Sequence, residues 1–547
     1  MPEDNLSVAY LIDLYNGPRS IAERADVSQR RRIHLQTNLD KKILDWLNNG
    51  EDVILTGNPG DGKTHLLMSL ELSQQNVGQE TDASQKKPED ILRDWRKYKR
   101  KKHPFVLAIN HAPLRELARV AAKDPDFKIL HEMILAPQRG LSAIDNFVIY
   151  SDEQEDRFSK KNQSAHKIKI VDLSQRELLT DEIVGNLLNK LCPPVATAPC
   201  IASIREQCGR CPLHDNANAL SNSQVQNNLA FLLTLVARRG FHTTMRDLLG
   251  LLAYILTGGV TCEDLWRKNM LGDSPKCSDF DYHNLLFGGR SPLFDMIRRT
   301  FDPGRYSDPD IDLNLWSGDI ANNWLIPRST DNNPLWELND LRSEKRRYFF
   351  EFNEPVIKKY QRMMTSVGQK FDRLVNNTDS ELAVQDLIEM INLFYAPLSK
   401  TRERNYRDRL YLWNQHRYSV GQPPGYIAMR SVGTSSLRVY HPRLNLIYDN
   451  AVSVRQDHVL LAGQNWLPGD PAMRVDWEMY KALWEAKQGK AIEVQSYSTL
   501  RRLDLFLRSL GPTAGNWAAT ENIIWGDYKR HSVVSIRVNR NKSVYQE

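Results

Sequence analysis

Residues 51–67 read Glu-Asp-Val-Ile-Leu-Thr-Gly-Asn-Pro-Gly-Asp-Gly-Lys-Thr-His-Leu-Leu, and the rest of the chain is interpreted outward from this stretch. The run 53–56 is apolar and β-branched, which predicts a buried strand. Residues 57–64 match G-x-x-x-x-G-K-[ST], and the apolar residues that follow have helical spacing. A strand, a glycine-rich loop and a helix in this order predict a P-loop, whereas a chance Gly-rich turn would lack the flanking elements.

The predicted P-loop implies a site for ATP and Mg²⁺. Its glycines let the backbone curl so that several N–H groups face one anion, and the helix that follows adds partial positive charge. Lys63 is expected to reach the β- and γ-phosphates, and the Thr64 hydroxyl to hold Mg²⁺. The predicted nucleotide-binding residues are Gly57, Asn58, Pro59, Gly60, Asp61, Gly62, Lys63, Thr64 and His65.

The composition is that of an ordinary globular protein. The chain has 547 residues, of which 41% are hydrophobic and 26% charged, and this length allows two to four domains. No apolar run approaches about 18 residues, so no membrane span is expected. The polar N-terminus predicts no secretory signal, and six cysteines make no disulfide framework, which together predict a cytoplasmic protein. The net charge of +6 permits contact with nucleic acid.

Strands alternate with helices in the first half of the chain. Further strands are predicted at 105–109, 147–150 and 168–171, with a weak edge strand in 76–84 that ends at Asp82. Helices are predicted within 7–48, over 88–102, from residue 114 and over 178–191. This alternation indicates an α/β fold with a mostly parallel sheet that helices cover on both faces.

Two helices after the last of these strands are predicted to form a lid over the nucleotide. The first covers Val225 to Arg238, and the second begins after Thr243 or Thr244 as N-cap and ends at Gly258. Arg246 lies in the first turn of the second helix. Its guanidinium is placed either to reach back to the phosphates or to form a surface ion pair.

Four cysteines lie within residues 192–211. Cys208 and Cys211 have the C-x₂-C spacing that suits two thiolates on one zinc ion. Cys192 and Cys200 would complete a four-thiolate site, although their spacing is loose and His214 is a rival ligand. The alternatives are free thiols and a redox pair.

Three basic segments are candidates for contact with nucleic acid. Residues 93–102 place several Lys and Arg side chains on one face of a predicted helix, and a second cluster lies at 400–409. In residues 345–350 basic side chains are followed by aromatic ones. A solvated helix face or a packed amphipathic helix explains the same patterns.

The texture of the sequence changes near residue 400, where short apolar runs typical of strands replace long helical segments. The predicted organisation is a helical segment at 1–45, a P-loop ATPase core with its lid at 46–265, a helical or mixed region at 266–399, and an α+β C-terminal domain at 400–547.

The chain resembles AAA+-like bacterial ATPases, and is most similar to the ATPase subunit of phosphorothioation-dependent DNA restriction systems. The resemblance covers about residues 35–305 and lies in three segments: 57–64, 105–114 (Phe-Val-Leu-Ala-Ile-Asn-His-Ala-Pro-Leu) and 242–249 (His-Thr-Thr-Met-Arg-Asp-Leu-Leu). It implies an AAA+-like core and an ATP-hydrolysing motor or switch in a DNA-targeting defence complex. The implied partners are other subunits, DNA bound directly or through a subunit, and further copies of this chain.

One feature departs from this family. An ATPase usually carries acidic residues at the end of a strand beside the P-loop strand, where they hold Mg²⁺ and orient water. Counting strands as in AAA+ proteins places Asn110 and His111 there, and neither is a carboxylate. Asp82 is the alternative Mg²⁺ ligand, and Asn110 is a candidate to orient the water. The predicted catalytic residues are Lys63, Asp82, Asn110 and Arg246.

Two other functions fit the same P-loop. A STAND-like signalling ATPase would oligomerise on ATP binding, but it needs sensor repeats, and none is visible in the sequence. A nucleotide-bound scaffold would recruit a nuclease without hydrolysing ATP. In an oligomer, an arginine from a neighbouring subunit often completes the ATP site, and Arg238, Arg239 and Arg176 are the candidates.

Overall fold

The computed structural model describes the chain in segments. The described residues are 8–16, 27–70, 72, 76–135, 143–144, 147–148, 168–196, 211–261, 264, 277–306, 309, 312, 338–352, 355–376, 380–395, 403–416, 425–444, 452, 454, 456–466, 470–489, 497–513, 522–527, 532–538 and 544–546.

The chain divides into two compact units. The first comprises Met1–Pro137, Phe158–Gln361 and Leu446–Arg455, and the second comprises Gln138–Arg157, Arg362–Asn445 and Gln456–Glu547. After the segment Gln138–Arg157, the second unit continues from Arg362, and the sequence predicted a C-terminal domain from about residue 400.

The first unit is an α/β structure. Its strands that form one sheet are β1 (Asp52–Thr56), β2 (Gly78–Glu80), β3 (Phe105–Ala108) and β6 (Ile168–Asp172). Its helices before β6 are α1 (Val8–Asn16), α2 (Val27–Ile33), α3 (Asn38–Asn48), α4 (Lys63–Ser69), α5 (Pro88–Arg100), α6 (His111–Ala121) and α7 (Lys128–Ile134). After β6 come α8 (Asp181–Ala196), α9 (Pro212–Leu220), α10 (Ser223–Arg238), α11 (Met245–Thr257), α12 (Tyr282–Gly288), α13 (Pro292–Thr300) and α14 (Leu338–Glu351).

The sheet is parallel, with the strand order β2-β3-β1-β6. Strand β1 pairs with β3 through Val53 and Val106, and with β6 through Thr56 and Asp172. The strand that leads into the glycine-rich loop therefore lies between two others. The carboxyl ends of all three strands meet at one edge of the sheet, the usual place for a ligand in an open α/β sheet.

Helices cover both faces of this sheet, as the sequence predicted. Ile54 packs in one apolar cluster with residues of α5, α6 and α7, whereas Val53 and Leu55 pack in another with residues of α3 and α4. Because successive side chains of a strand point to opposite faces, β1 contributes to both clusters. The backbone that precedes the loop is consequently buried on both sides.

A third apolar cluster joins α1 to α8, α9, α10, α11, α12 and α13 in a helical layer. It also takes in Tyr348, Phe349 and Phe350 of α14, which are buried. The aromatic residues of the basic-aromatic run at 345–350 are thus part of the core, and the packed-helix interpretation of that run is confirmed.

Two sequence predictions about strands need correction. The edge strand β2 ends at Glu80, so Asp82 follows it as the residue before a short 3₁₀ turn, Ala83–Gln85. Strand β5 (Phe147–Val148) does not belong to the parallel sheet. It pairs antiparallel with β4 (Ala143–Ile144) and with β10 (Arg443–Leu444). These three short strands therefore form a separate sheet.

The second unit is α+β and its sheets are antiparallel. One sheet has the order β12-β11-β9, and another has the order β15-β14-β13-β8-β7. The strands are β7 (Arg409–His416), β8 (Gly425–Gly433), β9 (Leu437–Tyr440), β11 (His458–Gly463), β12 (Ala472–Asp476), β13 (Asn522–Asp527), β14 (Ser532–Val538) and β15 (Val544–Gln546). The helices are α15 (Pro355–Asn376), which begins in the first unit, α16 (Ser380–Tyr395), α17 (Glu403–Asp408), α18 (Trp477–Lys487) and α19 (Tyr497–Thr513).

The side chain of Asn392, in α16, bonds to several residues at and just before β7. Its side chain is fully buried and donates to the carbonyls of Tyr406 and Arg409, while its Oδ1 accepts from Tyr411 N and Trp413 Nε1. These bonds satisfy the amide and fix α16 against β7. Among the described residues, no helix has the length and apolar character needed to cross a membrane.

Candidate functional site

The loop between β1 and α4 is tightly curled. Gly57 and Gly60 have φ of 144° and 99°, a region that side-chain-bearing residues rarely adopt. A Cβ on Gly57 would lie 2.6 Å from Asp61 Oδ2 and 3.1 Å from Ser174 N. Gly62, the second glycine of the G-x-x-x-x-G pattern, has φ of 91°. Backbone conformation thus explains both glycines of the pattern, and close approach of neighbouring groups is a second cause at Gly57.

Lys63 lies at the start of α4 and folds back over the loop. Its Nζ donates to the Asn58 carbonyl at 2.7 Å. Burial lowers the pKa of Lys63, and the negative charges of Asp61, Asp172 and Asp82 oppose that effect. The ammonium is therefore buried among carboxylates and held by a weak carbonyl contact, which a phosphate could replace.

Thr64 and Asp82 lie on the same side of the loop. The Thr64 hydroxyl donates to the Thr81 carbonyl at 2.9 Å, which places it beside the residue that precedes Asp82. Asp82 Oδ2 accepts a bond from the side chain of Gln85. A hydroxyl and a carboxylate are the oxygen donors that Mg²⁺ takes when phosphates and water complete its shell, so these residues fit the predicted ion.

One cavity of about 310 Å³ joins these groups to residues far away in the sequence. The predicted site residues that line it are Pro59, Gly60, Asp61, Gly62, Lys63, Thr64, His65, Asp82, Asn110 and Arg246. All four predicted catalytic residues are thus brought to one cavity at the carboxyl edge of the sheet.

Asn110 follows β3 and occupies the N-cap position of α6. Its backbone N–H donates to Ser84 Oγ at 3.2 Å, which ties the end of β3 to the turn after β2. Its side chain has no capping bond to the helix it precedes. Because Asn110 lines the cavity without capping its helix, its amide is placed to contact a ligand there.

The first turn of α11 lies against the loop. Thr244 caps the helix through a reciprocal capping box with Asp247, in which Thr244 N donates to Asp247 Oδ2 and Asp247 N to Thr244 Oγ1. The backbone N–H of Arg246 donates to the Gly60 carbonyl at 3.2 Å. The sequence placed Arg246 either at the phosphates or in a surface ion pair, and the structure places it on the cavity wall.

A buried carboxylate inside the loop was not anticipated from the sequence. Asp61 Oδ2 accepts the Asn58 N–H at 2.5 Å, and Asp61 Oδ1 lies 3.3 Å from His242 Nε2. The bond to Asp61 raises the pKa of His242 against the opposing effect of burial. Asp61 therefore connects the glycine-rich loop to the segment that enters α11.

Asp172, the last residue of β6, is a second buried carboxylate. Asp172 is 2% exposed, and its Oδ1 accepts Ser174 N at 2.9 Å and lies 3.3 Å from His111 Nε2. Burial alone would raise the pKa of Asp172, but the bonds from His111 and Ser174 hold it below its ordinary value. Asp172 is thus an acidic residue at the end of a strand beside β1, which strand counting had failed to supply.

The end of the cavity beyond the loop is more apolar. Helices α1, α2 and α11 contribute Leu14, Ile33 and Leu249. His34 Nε2 lies 2.6 Å from Asp40 Oδ1, and Asp40 Oδ2 accepts from Thr37 N. Both oxygens of this carboxylate therefore have partners.

The side chain of His65, which follows Lys63 and Thr64, is uncharged. Burial lowers the pKa of His65 to about 4, with the positive charges of His34 and Arg30 adding to the effect. The His65 and His34 rings lie 5.4 Å apart. The uncharged His65 ring thus lies in the cavity wall near the charged groups of Asp40 and Arg176.

The arginines proposed to act between subunits have different environments. Arg238 is 6% exposed, and Arg239 donates to Thr300 Oγ1 at 3.2 Å. A buried guanidinium does not reach a neighbouring molecule, so Arg238 is unsuited to that role. Arg176, the third candidate, lines the cavity itself.

The two basic clusters are largely engaged in local contacts. In α5, Arg93 and Lys97 pair with Asp90 and Asp94, and Arg96 pairs with Asp124 and Asp126. In the second cluster, Arg407 pairs with Asp386 and Glu389, and Arg409 donates to Ser431, while Lys400 and Arg402 lie outside the described residues. These local contacts account for part of each described cluster, and contact with nucleic acid stays a prediction.

The zinc hypothesis stays a prediction. Cys200 and Cys208 lie outside the described residues, and Cys192 and Cys211 are buried. Burial raises the pKa of Cys192 to about 12, against a bond with Ser221, so this sulfur is a neutral thiol in the conformation described. Within the described part of the chain, no three or more His, Cys, Asp or Glu residues are grouped as a metal site would need.

No family model, curated protein or solved structure matches the chain. Function is therefore inferred from the chemistry of the cavity. A curled glycine-rich loop, a buried lysine, a hydroxyl with an adjacent carboxylate and an arginine from a distant helix can together bind a polyphosphate and its metal ion.

Proposed function

We propose that this protein binds Mg-ATP in the cavity described above and hydrolyses it. The observation that carries the proposal is that Lys63, Thr64, Asp82, Asn110 and Arg246, chosen from sequence pattern alone, line one cavity. These residues come from four separate segments, of which three follow neighbouring strands of the parallel sheet and the fourth is the first turn of α11. Their joint chemistry is that of a phosphoryl-transfer site.

Each side chain has a role in this proposal. The Lys63 ammonium exchanges the Asn58 carbonyl for phosphate oxygens, a stronger charge-assisted contact. The Arg246 guanidinium places a second cation where negative charge develops as the terminal phosphate is transferred. Thr64 and Asp82 are the residues that would hold Mg²⁺, which neutralises phosphate charge when bound.

The opposite end of the cavity suits a nucleoside. Leu14, Ile33 and Leu249 supply apolar walls, and His65 supplies an uncharged ring with one donor and one acceptor. Ligand sites are commonly apolar with a few polar groups that fix orientation. A cavity wall that carries both charged and apolar side chains supports a nucleotide over a simple phosphate ion.

We further propose that the ATPase serves a DNA-targeting defence complex, on the strength of the resemblance of residues 35–305 to the ATPase subunit of phosphorothioation-dependent restriction systems. In this proposal DNA is bound either directly or through a partner subunit. Turnover that rises when DNA and partner subunits are added would support this role. Turnover indifferent to both would remove it and leave the ATPase proposal intact.

The test of the ATPase proposal is steady-state release of phosphate from Mg-ATP by the full chain. Lys63→Ala should abolish most turnover because it removes the phosphate-binding charge and leaves the loop backbone in place. Lys101→Ala, at the end of α5 and away from the cavity, is the matched control and should hydrolyse ATP normally. Equal rates in the wild type and Lys63→Ala would refute the proposal.

A further inference from the structure

Arg176 is a half-buried cation in the wall of the cavity. It comes directly after the 3₁₀ turn Leu173–Gln175 that follows β6, and it lines the cavity. Its backbone is fixed, because its N–H donates to the Leu173 carbonyl at 3.2 Å and the residue forms an antiparallel bridge with Val454. Throughout the part of the chain that the structure describes, its guanidinium forms no hydrogen bond or ion pair.

This placement of Arg176 is unfavourable unless a ligand compensates it. Burial lowers the pKa of Arg176, and the negative charge of Asp40 opposes that effect. The oxygens of Asp40 are bonded instead to His34 and Thr37. A guanidinium has only N–H donors, and each donor removed from water needs an acceptor. The unbonded donors of Arg176 therefore indicate a ligand acceptor in the cavity.

Arg176 and Lys63 occupy different parts of the cavity wall. The pKa of Lys63 responds to charged groups around the glycine-rich loop, namely Asp61, Asp172, Asp82 and Arg246. The pKa of Arg176 responds instead to Asp40, a residue of α3. A nucleotide whose phosphates lie at Lys63 therefore places another part of the molecule beside Arg176.

The surroundings of Arg176 suit a base better than a ribose. Asp40, whose charge acts on Arg176, is bonded to His34, and the residue before His34 in the chain, Ile33, adds an apolar side chain to the same cavity. A base has apolar faces and carries acceptor atoms on its edge, whereas hydroxyl groups surround a ribose. A guanidinium beside apolar side chains matches the base in both respects.

We propose that Arg176 is a base-binding residue of the site in its own chain and that its guanidinium donates to a ring nitrogen of the adenine of ATP. This inference rests on the proposed binding of ATP and adds a recognition residue to it. It replaces the hypothesis that Arg176 completes the ATP site of a neighbouring subunit. Without nucleotide the guanidinium is a charge that lacks a bonded acceptor, so Arg176 contributes to binding at a cost in stability of the free protein.

The experiment measures the affinities of ATP, ribose 5′-triphosphate and inorganic tripolyphosphate, each with Mg²⁺, by isothermal titration calorimetry on the full chain. Arg176→Met removes the donors and keeps an unbranched apolar stem. Its affinity for ATP should fall by about 10-fold to 100-fold, the loss expected for a hydrogen bond to a charged group. Its affinity for the ligands without a base should stay within about twofold of the wild type. Lys63→Ala should weaken the binding of every ligand.

Arg115→Met is the matched control, because Arg115 is an exposed arginine of α6 outside the cavity wall. It should bind all the ligands as the wild type does. The melting temperature without ligand is a second readout, and Arg176→Met should melt at or above the wild-type temperature because a poorly solvated charge is removed. Arg176→Lys keeps the charge without the planar fork, so it should recover part of the affinity for ATP. It also provides the comparison if Arg176→Met does not fold.

The outcomes separate this inference from the proposed function. Equal affinity for ATP in the wild type and Arg176→Met would overturn the inference alone. A matching loss for tripolyphosphate would place Arg176 at the phosphates, and a loss for ribose 5′-triphosphate alone among the ligands without a base would place it at the sugar; either would overturn it. A ligand-free Arg176→Met that melts well below the wild type would show a structural role, with the same consequence. A folded wild type that binds no ATP would remove the proposed function itself.

Discussion

Replacing Gly60 by alanine should weaken nucleotide binding by an amount that the backbone geometry sets. Gly60 has φ of 99°, and an added Cβ would lie 3.0 Å from Thr244 Oγ1 and 3.3 Å from Thr244 Cβ. Holding a side-chain-bearing residue in such a conformation costs about 1–3 kcal/mol. The free loop can relax away from this strain, whereas the bound loop cannot. Affinity should therefore fall by about 5-fold to 150-fold.

Gly50→Ala is the matched control for this change. Gly50 has φ of 75°, but no atom lies within 4 Å of its added Cβ, and it does not line the cavity. Gly50→Ala should lose thermal stability and keep its affinity, whereas Gly60→Ala should lose affinity in a titration with a fluorescent ATP analogue. Wild-type affinity in Gly60→Ala, or an equal loss in Gly50→Ala, would show that the loop geometry described here does not govern binding.

Three further outcomes follow from the same structure. The pKa of His242 is raised in the folded state, so its pairing with Asp61 stabilises the fold at low pH and this stability is lost as pH rises through the raised value. His242→Gln should thus lower the melting temperature more at about pH 6 than at about pH 9, and an equal effect at both would contradict the pairing. Arg246→Ala should reduce turnover, whereas Arg239→Ala, bonded to Thr300, should not; the reverse order would exclude Arg246 from the site. A four-thiolate site would give about one zinc per chain by elemental analysis, and finding none would leave the cysteines as thiols.

Local features of the site could be predicted from the sequence. The strand before the loop was expected at 53–56 and is found at Asp52–Thr56. Of the two N-cap candidates, Thr243 and Thr244, the structure has Thr244. These signals depend on residues close together in the chain, namely an apolar run, a glycine pattern and a capping residue. Asp82 and Asn110 were chosen as candidate site residues because each follows an apolar or short extended run.

Contacts between distant residues could not be predicted in the same way. The strand that ends at Asp172 was recognised, but its neighbour in the sheet depends on chain topology, which a local pattern does not encode. Asn58 and His242 are 184 positions apart, and neither segment contains a pattern that predicts their proximity. Strand β5 was misplaced for a related reason, because an apolar run of four residues does not reveal its pairing partner.

The most direct test of the ATP site is the stoichiometry of Mg-ATP binding measured by isothermal titration calorimetry on the full chain. The wild type should bind about one nucleotide per chain, because one P-loop is present. Lys63→Ala should lose that binding while it keeps the wild-type melting profile in the absence of nucleotide. Saturable binding of equal affinity in Lys63→Ala, or no binding by a folded wild type, would contradict the assignment of this cavity to ATP.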